Sequence, residues 1–207
     1  MHPDVAWSEV SGRDDETELV FDDGWRVELP EEGWFDPAQL AALTEHLAVA
    51  TTSPLDVVAA IWEGWGDLNG GSTLAVGWQG GSPNATERAE LREYGARMAA
   101  EHRVQQAALR ASLAGPRLHL PHRAYIVLGM ALPELADPSW MGDARVGMYL
   151  DVGHTPQLLW PEDHAWVVAT EIDTDSTIVA GSQQLIASVL ADRRLEAFEV
   201  GPDSVLV

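Results

Sequence analysis

Cysteine is missing from this 207-residue chain, and so is lysine. The first absence excludes disulfides, thiolate nucleophiles and cysteine-ligated zinc. The second excludes a Walker A phosphate loop, which needs its lysine on the phosphates. No run approaches the roughly 20 apolar residues that a membrane-spanning helix requires. The start, Met1-His2-Pro3-Asp4, has neither the basic nor the apolar region of a signal peptide. The cytoplasm is the compartment these absences imply. Basic charge is scarce as well: twelve arginines face 33 acids, for a formal net charge of −21. A field of that sign repels nucleic acid and anionic membranes, so neither is an expected partner, and it attracts cationic surfaces. Solubility alone, or adaptation to salt, is the plainer explanation of the same charge.

The charge is not evenly spread. Residues 1–81 carry 16 acids and two arginines, residues 82–123 four acids and seven arginines, and residues 124–207 thirteen acids and three arginines. Apolar content of 46% is enough for a proper core, and the length makes one domain the default. Residues 1–18 are polar and acidic and are expected to be partly disordered.

The densest signals lie between Gln157 and Ala191. Ala165 to Asp173 reads as a strand, bounded by Pro161 and the acidic pair Glu162-Asp163. Trp166, Val168, Thr170 and Ile172 would face one way, and Val167, Ala169, Glu171 and Asp173 the other. Both faces begin apolar, which predicts an interior strand covered on both sides. Asp173 to Thr177 reads as a turn, Thr177 to Ala180 as a short returning strand, and Ser182 as the N-cap of a helix to Ala191. Leu195 to Val200 reads as a final strand.

Upstream, Leu19-Val20-Phe21 and Trp25 to Leu29 flank Asp22-Asp23-Gly24, a hairpin signal. Asp36 and Pro37 open a helix to about Ala50, with Leu40, Leu43 and Leu47 at helical spacing. Val57 to Trp65 reads as a buried strand, and Ser72 to Trp78 as its return arm across a Gly-rich turn. Asn84 to Leu113 has strongly helix-favouring composition, as one long surface helix or two broken at Gly95. The segment 67–117 reads as an insertion. Leu118 to Pro121 is extended, Ala124 to Leu128 is a strong strand, Pro133 to Gly142 is loop, and Arg145 to Val152 is a further strand. The expected architecture is α+β: a mixed or largely antiparallel central sheet with strands near 57–63, 124–131 and 165–173 at its centre. Helices flank it, and the long helix near 84–114 is attached to it.

Several motifs resemble those of a family of uncharacterised actinobacterial proteins. They are Trp62-Glu63-Gly64-Trp65-Gly66, Leu120-Pro121-His122-Arg123-Ala124-Tyr125, and Leu159-Trp160-Pro161-Glu162-Asp163-His164-Ala165-Trp166 with the following Val168 to Asp173, Ser176-Thr177 and Gly181-Ser182. The resemblance covers roughly residues 27–66 and 118–200, with 67–117 inserted relative to shorter members, and it implies a bacterial cytosolic origin. Many members have arginine at the position of His164. The family supplies no activity, and so no catalytic residues.

Candidate chemistry is sparse. Glu171, Asp173 and Asp175 would share one face of an extended strand about 7 Å apart, a spacing that could serve Mg²⁺ or Ca²⁺. A Ca²⁺ loop is excluded, because its glycine position holds Ile178 and its final glutamate position Gln184. An acidic turn capped by its own side chains is the alternative. His119 and His122 sit three apart in extended chain and point opposite ways, which argues against a shared metal. Glu63 and Glu171, set in apolar walls, would have raised pKa values and could act as acid and base, with His122, Arg123 and Asp173 completing a cleft. The structural alternative pairs each carboxylate with an arginine, Arg123 being the obvious candidate for Glu63. No Gly-x-Ser-x-Gly or Gly-x-Gly-x-x-Gly motif stands in the right context, and no motif implies a cofactor. Among nine tryptophans, Trp62 and Trp166 are expected in the core, and Trp65 and Trp160, at strand ends, as exposed binding anchors. The leading expectation is a non-enzymatic binding protein whose acidic surface meets a basic protein partner, as an immunity or antitoxin protein meets a toxin. An enzyme or small-molecule binder using the carboxylate, His and Arg cleft is the rival. Self-association through the 84–114 helix is a third expectation.

Overall fold

The computed structural model describes residues 18–28, 31–66, 68, 84–141 and 154–201. A two-stranded hairpin, β1 (Glu18–Val20) and β2 (Arg26–Glu28), precedes helix α1 (Pro37–Val49) and strand β3 (Val57–Trp62). Helix α2 (Ala85–Leu113) leads to β4 (Arg117–Leu120), β5 (Arg123–Met130) and a 3-10 turn (Leu132–Ala136). Then come β6 (Leu158–Pro161), β7 (Trp166–Thr170), β8 (Thr177–Gly181) and helix α3 (Gln183–Leu190). Strands three to eight form one antiparallel sheet in the order β4-β5-β3-β6-β7-β8. The α+β class and the antiparallel sheet are as expected. The chain divides into two compact units. Unit 1 holds Met1–Ile61, Leu128–Trp140 and Thr155–Val207; unit 2 holds Trp62–Val127 and Met141–His154.

Local chemistry explains most elements of unit 1. Gly24 takes a φ of +90°, which closes the β1–β2 turn as the Asp-Asp-Gly signal predicts, and Asp23 accepts from the Trp25 amide. Asp36 caps α1 by accepting from the amides of Ala38 and Gln39, both at 2.9 Å, and Pro37 occupies the first turn, where no N–H is needed. Leu40, Leu43, Thr44 and Leu47 then fall on one buried stripe. Thr44 gives its hydroxyl proton to the Leu40 carbonyl, so its burial leaves no orphaned donor. Ser182 caps α3 through the Leu185 amide. Trp166 lies in the core and donates its indole N–H to the Leu47 carbonyl at 3.1 Å, which ties β7 to α1. A Cβ on Gly181 would come within 2.7 Å of Leu185, so glycine there lets α3 approach β8 closely. Gln157, buried to 2% exposure, is the polar node of this unit. Its side-chain amide donates to the carbonyls of Gly33 and Thr155, and its backbone bonds Ala60 and Thr170.

Several expectations are corrected here. The strand expected over 165–173 stops at Thr170, and Glu171 begins a turn. Only one face of that strand is buried: Trp166, Val168 and Thr170 are inside, while Val167 is 39% exposed. Leu195 to Val200 forms no strand, and Phe198 stands 61% exposed. Alternating apolar residues need a neighbouring strand to pair with, and none is beside them among the described residues. The segment 133–142, expected as loop, opens with the 3-10 turn, whose Leu132 and Leu135 are fully buried, and Trp140 is buried behind it. β6 is a strand that the sequence does not announce; four residues ending in proline carry too little pattern.

In unit 2, α2 runs unbroken through Gly95. Asn84 accepts from the amides of Thr86 and Glu87, and Glu87 accepts in return from the Asn84 amide, a reciprocal cap. The β4–β5 hairpin turns on Pro121 and His122, with His122 at φ 69°. Proline followed by a left-handed residue is the pattern of a type II turn. Tyr125, Ile126 and Leu68 are the buried apolar side chains described in this unit. The expected strands at 72–78 and 145–152 lie outside the described residues, as do most of the acidic 1–18 segment and, within 67–117, residues 67 and 69–83.

Candidate functional site

The end of β3 carries the richest cluster among the described residues of unit 2. The Trp62 indole folds back over Gly64, where an added Cβ would fall about 2.1 Å from the ring, so only glycine fits. Trp65 meets Trp62 edge to face at 5.5 Å and stacks on the His154 imidazole at 4.6 Å and 14°. The Arg123 guanidinium lies 5.6 Å from the Trp62 ring centre, a cation–π distance. Glu63 lies at the strand's end, its amide bonded to the Ala124 carbonyl. Its carboxylate accepts from Arg117 Nε at 2.9 Å, and Arg117 also donates to the Gly115 carbonyl.

Glu63 therefore has an arginine partner in Arg117, where Arg123 was the expected one. Its side chain is 42% exposed, so the apolar wall expected around it is not there. His122 is exposed at the hairpin turn and, among the described residues, its side chain bonds to neither Glu63 nor Arg123. Trp65 is half-buried within the aromatic cluster, less open than expected, and Trp62 is half-buried rather than core. Arg117 and His154 are the members sequence reading missed. Neither stands in a motif, and each reaches the cluster through a contact with a residue far away in the chain, Arg117 with Glu63 and His154 with Trp65.

Glu171, Asp173 and Asp175 lie in the β7–β8 turn of unit 1. Glu171 is exposed and its carboxylate accepts from the next residue's amide, Ile172, at 3.0 Å. The extended chain that would have aligned the three acids ends at Thr170. No three His, Asp or Glu side chains among the described residues are grouped to hold a metal ion. Trp160, on β6, is half-buried.

Two groups stand out among the described acids of unit 1. One is fixed by hydrogen bonds. Asp163 accepts from the Thr52 amide at 2.7 Å, from the Thr52 and Thr51 hydroxyls at 2.8 Å, and from the Ala165 amide. The Thr52 amide above all, with those other donors, holds its carboxyl down at about 2. Asp192 is held well below the usual carboxylate range by hydrogen bonds from Arg194 and then from His46, whose Nε2 lies 2.8 Å away. Arg194 also grips Glu45 with two nitrogens, at 2.9 and 2.7 Å, lowering that carboxyl too. The second group is open: Glu31, Glu32, Asp56 and Glu162 are exposed and make no side-chain hydrogen bond or ion pair among the described residues.

Counted by unit, the asymmetry is complete. Unit 1 carries 25 acids and four arginines; unit 2 carries eight of each. The whole net charge of −21 belongs to unit 1, and unit 2 is formally neutral. No helix among the described residues is long and apolar enough to cross a membrane. Comparison with protein-family models, with curated proteins and with solved structures finds no match to this chain.

Proposed function

We propose that this is an acidic binding protein that acts by meeting a basic protein partner, in the manner of an immunity or antitoxin protein. The observation that carries this reading is the confinement of all the net charge to unit 1, whose open acids include Glu31, Glu32, Asp56 and Glu162. Charge needed only for solubility has no reason to collect on one unit while the other stays neutral. A field concentrated on one unit attracts a cationic surface, and so speeds its encounter. The rival reading, an enzyme or small-molecule site, asks Glu63 to exchange a proton. Glu63 is engaged by Arg117, and breaking that pair would have to come first.

The test is affinity purification from the native host at low salt, followed by association kinetics with the protein recovered. The on-rate should fall steeply as ionic strength rises, because exposed charges are screened beyond about 8–10 Å at physiological salt. Recovery of no specific basic protein, or an on-rate indifferent to salt, would sink the proposal.

A further inference from the structure

The sheet strands of unit 1 have two faces, and register assigns every residue to one of them. Trp166, Val168 and Thr170 face α1 and α3: Trp166 bonds the α1 carbonyl of Leu47, and its partner across the ladder, Gly181, packs against Leu185 of α3. The opposite face of β6, β7 and β8 presents Leu158, Trp160, Val167, Ala169, Ile178 and Ala180. Not one of these is polar or charged. Both helices described in this unit lie on the other side. Val167 is 39% exposed, Ala180 is exposed, and the remaining four are half-buried. Solvated faces of antiparallel sheets ordinarily alternate to polar residues, and this one does not. A contiguous apolar patch rimmed by charge has the anatomy of a protein interface.

The rim is acidic at both ends of the strands. Glu162 and Asp163 follow β6, and the Glu162 amide bonds the carbonyl of Asp56, which brings a third acid to that end. Glu171, Asp173 and Asp175 fill the β7–β8 turn at the other end. A second copy of the chain would bring the same −21 against this rim and be repelled. We infer that this face is where the basic partner docks, and that the partner seats an apolar patch ringed by arginine or lysine upon it. This rests on the binding reading above and names its surface.

The experiment uses the full chain and two synthetic probes at low salt: an amphipathic arginine–leucine peptide, and an arginine–serine peptide of equal charge. Affinity is read by fluorescence anisotropy of the labelled peptides. The arginine–leucine peptide should bind roughly tenfold more tightly, the factor that burying about one valine-sized side chain supplies. Val167→Glu should abolish that difference while leaving the arginine–serine peptide bound. Charge alone predicts the opposite, since the substitution adds a negative group. Val49→Glu, at an 83% exposed valine on α1, should change neither affinity beyond a slight tightening. Should Val167→Glu unfold by circular dichroism, Ala180→Glu is expected to give the same result. Equal affinity for the two peptides, or an unchanged difference in these variants, overturns the docking face and leaves the basic-partner reading standing. Failure of both peptides to bind overturns both. Light scattering is read alongside: a wild-type dimer that Val167→Glu dissociates would assign the face to a second copy and overturn the inference.

Discussion

Unit 1 and unit 2 differ in what they bury and in what they show. Unit 1 carries the whole net charge and also the dense aliphatic interior: Leu40, Leu43, Leu47, Leu132, Leu135 and Leu159 are each 1% exposed or less. Unit 2 is neutral, and its described buried apolar side chains are only Leu68, Tyr125 and Ile126. Its described side chains also include the cluster of indoles, imidazole and guanidinium at the end of β3. Among the described residues, self-repulsion thus falls on the unit with the denser packing. A deep core offsets the compaction penalty of crowded negative charge, whereas a thin core would be put at risk by it.

Substitutions can challenge that contrast, beginning with the one that should do most damage. Leu47→Ala should cost about 2–5 kcal/mol in denaturant unfolding, the usual range for emptying a buried leucine site. A cost below about 1 kcal/mol would mean that the core of unit 1 is not where its stability lies. In unit 2, Gly64→Ala forces a methyl group into the Trp62 ring and should cost about 1–3 kcal/mol, with altered tryptophan fluorescence. Gly66→Ala, which meets nothing within 4 Å, should stay within about 0.5 kcal/mol of wild type.

The fixed acids of unit 1 make a pH prediction. The Asp163 carboxyl is depressed to about 2 in the folded state, from its ordinary value of 3.8. Its contribution is therefore complete above the unfolded value and disappears as pH falls from about 4 towards 2. Asp163→Asn should flatten that part of the melting-temperature profile, and an unchanged acid limb would assign it to other groups, Asp192 first. The smallest effect concerns the two left-handed histidines, one in each unit, His164 at φ 53° and His122 at φ 69°. Exchanging either for glycine relieves the strain at some cost in chain entropy, for a net gain of a few tenths to about 1 kcal/mol in thermal unfolding. A loss of stability at either position would show that the side chain makes a contact worth more than its backbone strain.

Elements announced by short-range chemistry are legible in the sequence. The Asp-Asp-Gly turn, the Asp36-Pro37 start of α1 and the Ser182 cap of α3 each depend on residues within four positions of one another. β6 is not legible, because a strand of four residues is defined by the neighbours β3 and β7 that pair with it. Leu195 to Val200 fails as a strand for the converse reason, since the pattern is present and the neighbour is not. At the candidate sites, the Glu63 partner depends on where the β4–β5 hairpin puts Arg117, which is 54 positions away in sequence. Both arginines are equally eligible from composition. The sequence of β7 shows its two apolar faces, but nothing local could say that the helices described in unit 1 would lie on only one of them.

The amino-acid order by itself determined which stretches turn, cap and alternate, the charge carried, and the chemistries excluded for want of cysteine and lysine. Those follow from covalent structure and from interactions a few residues long. The tertiary structure alone decided that Arg117 holds Glu63, where β7 stops, which sheet face the helices described in unit 1 leave uncovered, and that all the net charge gathers on one unit. Each of these rests on contacts between residues far apart in the chain, whose closure is settled by packing and register rather than by local preference.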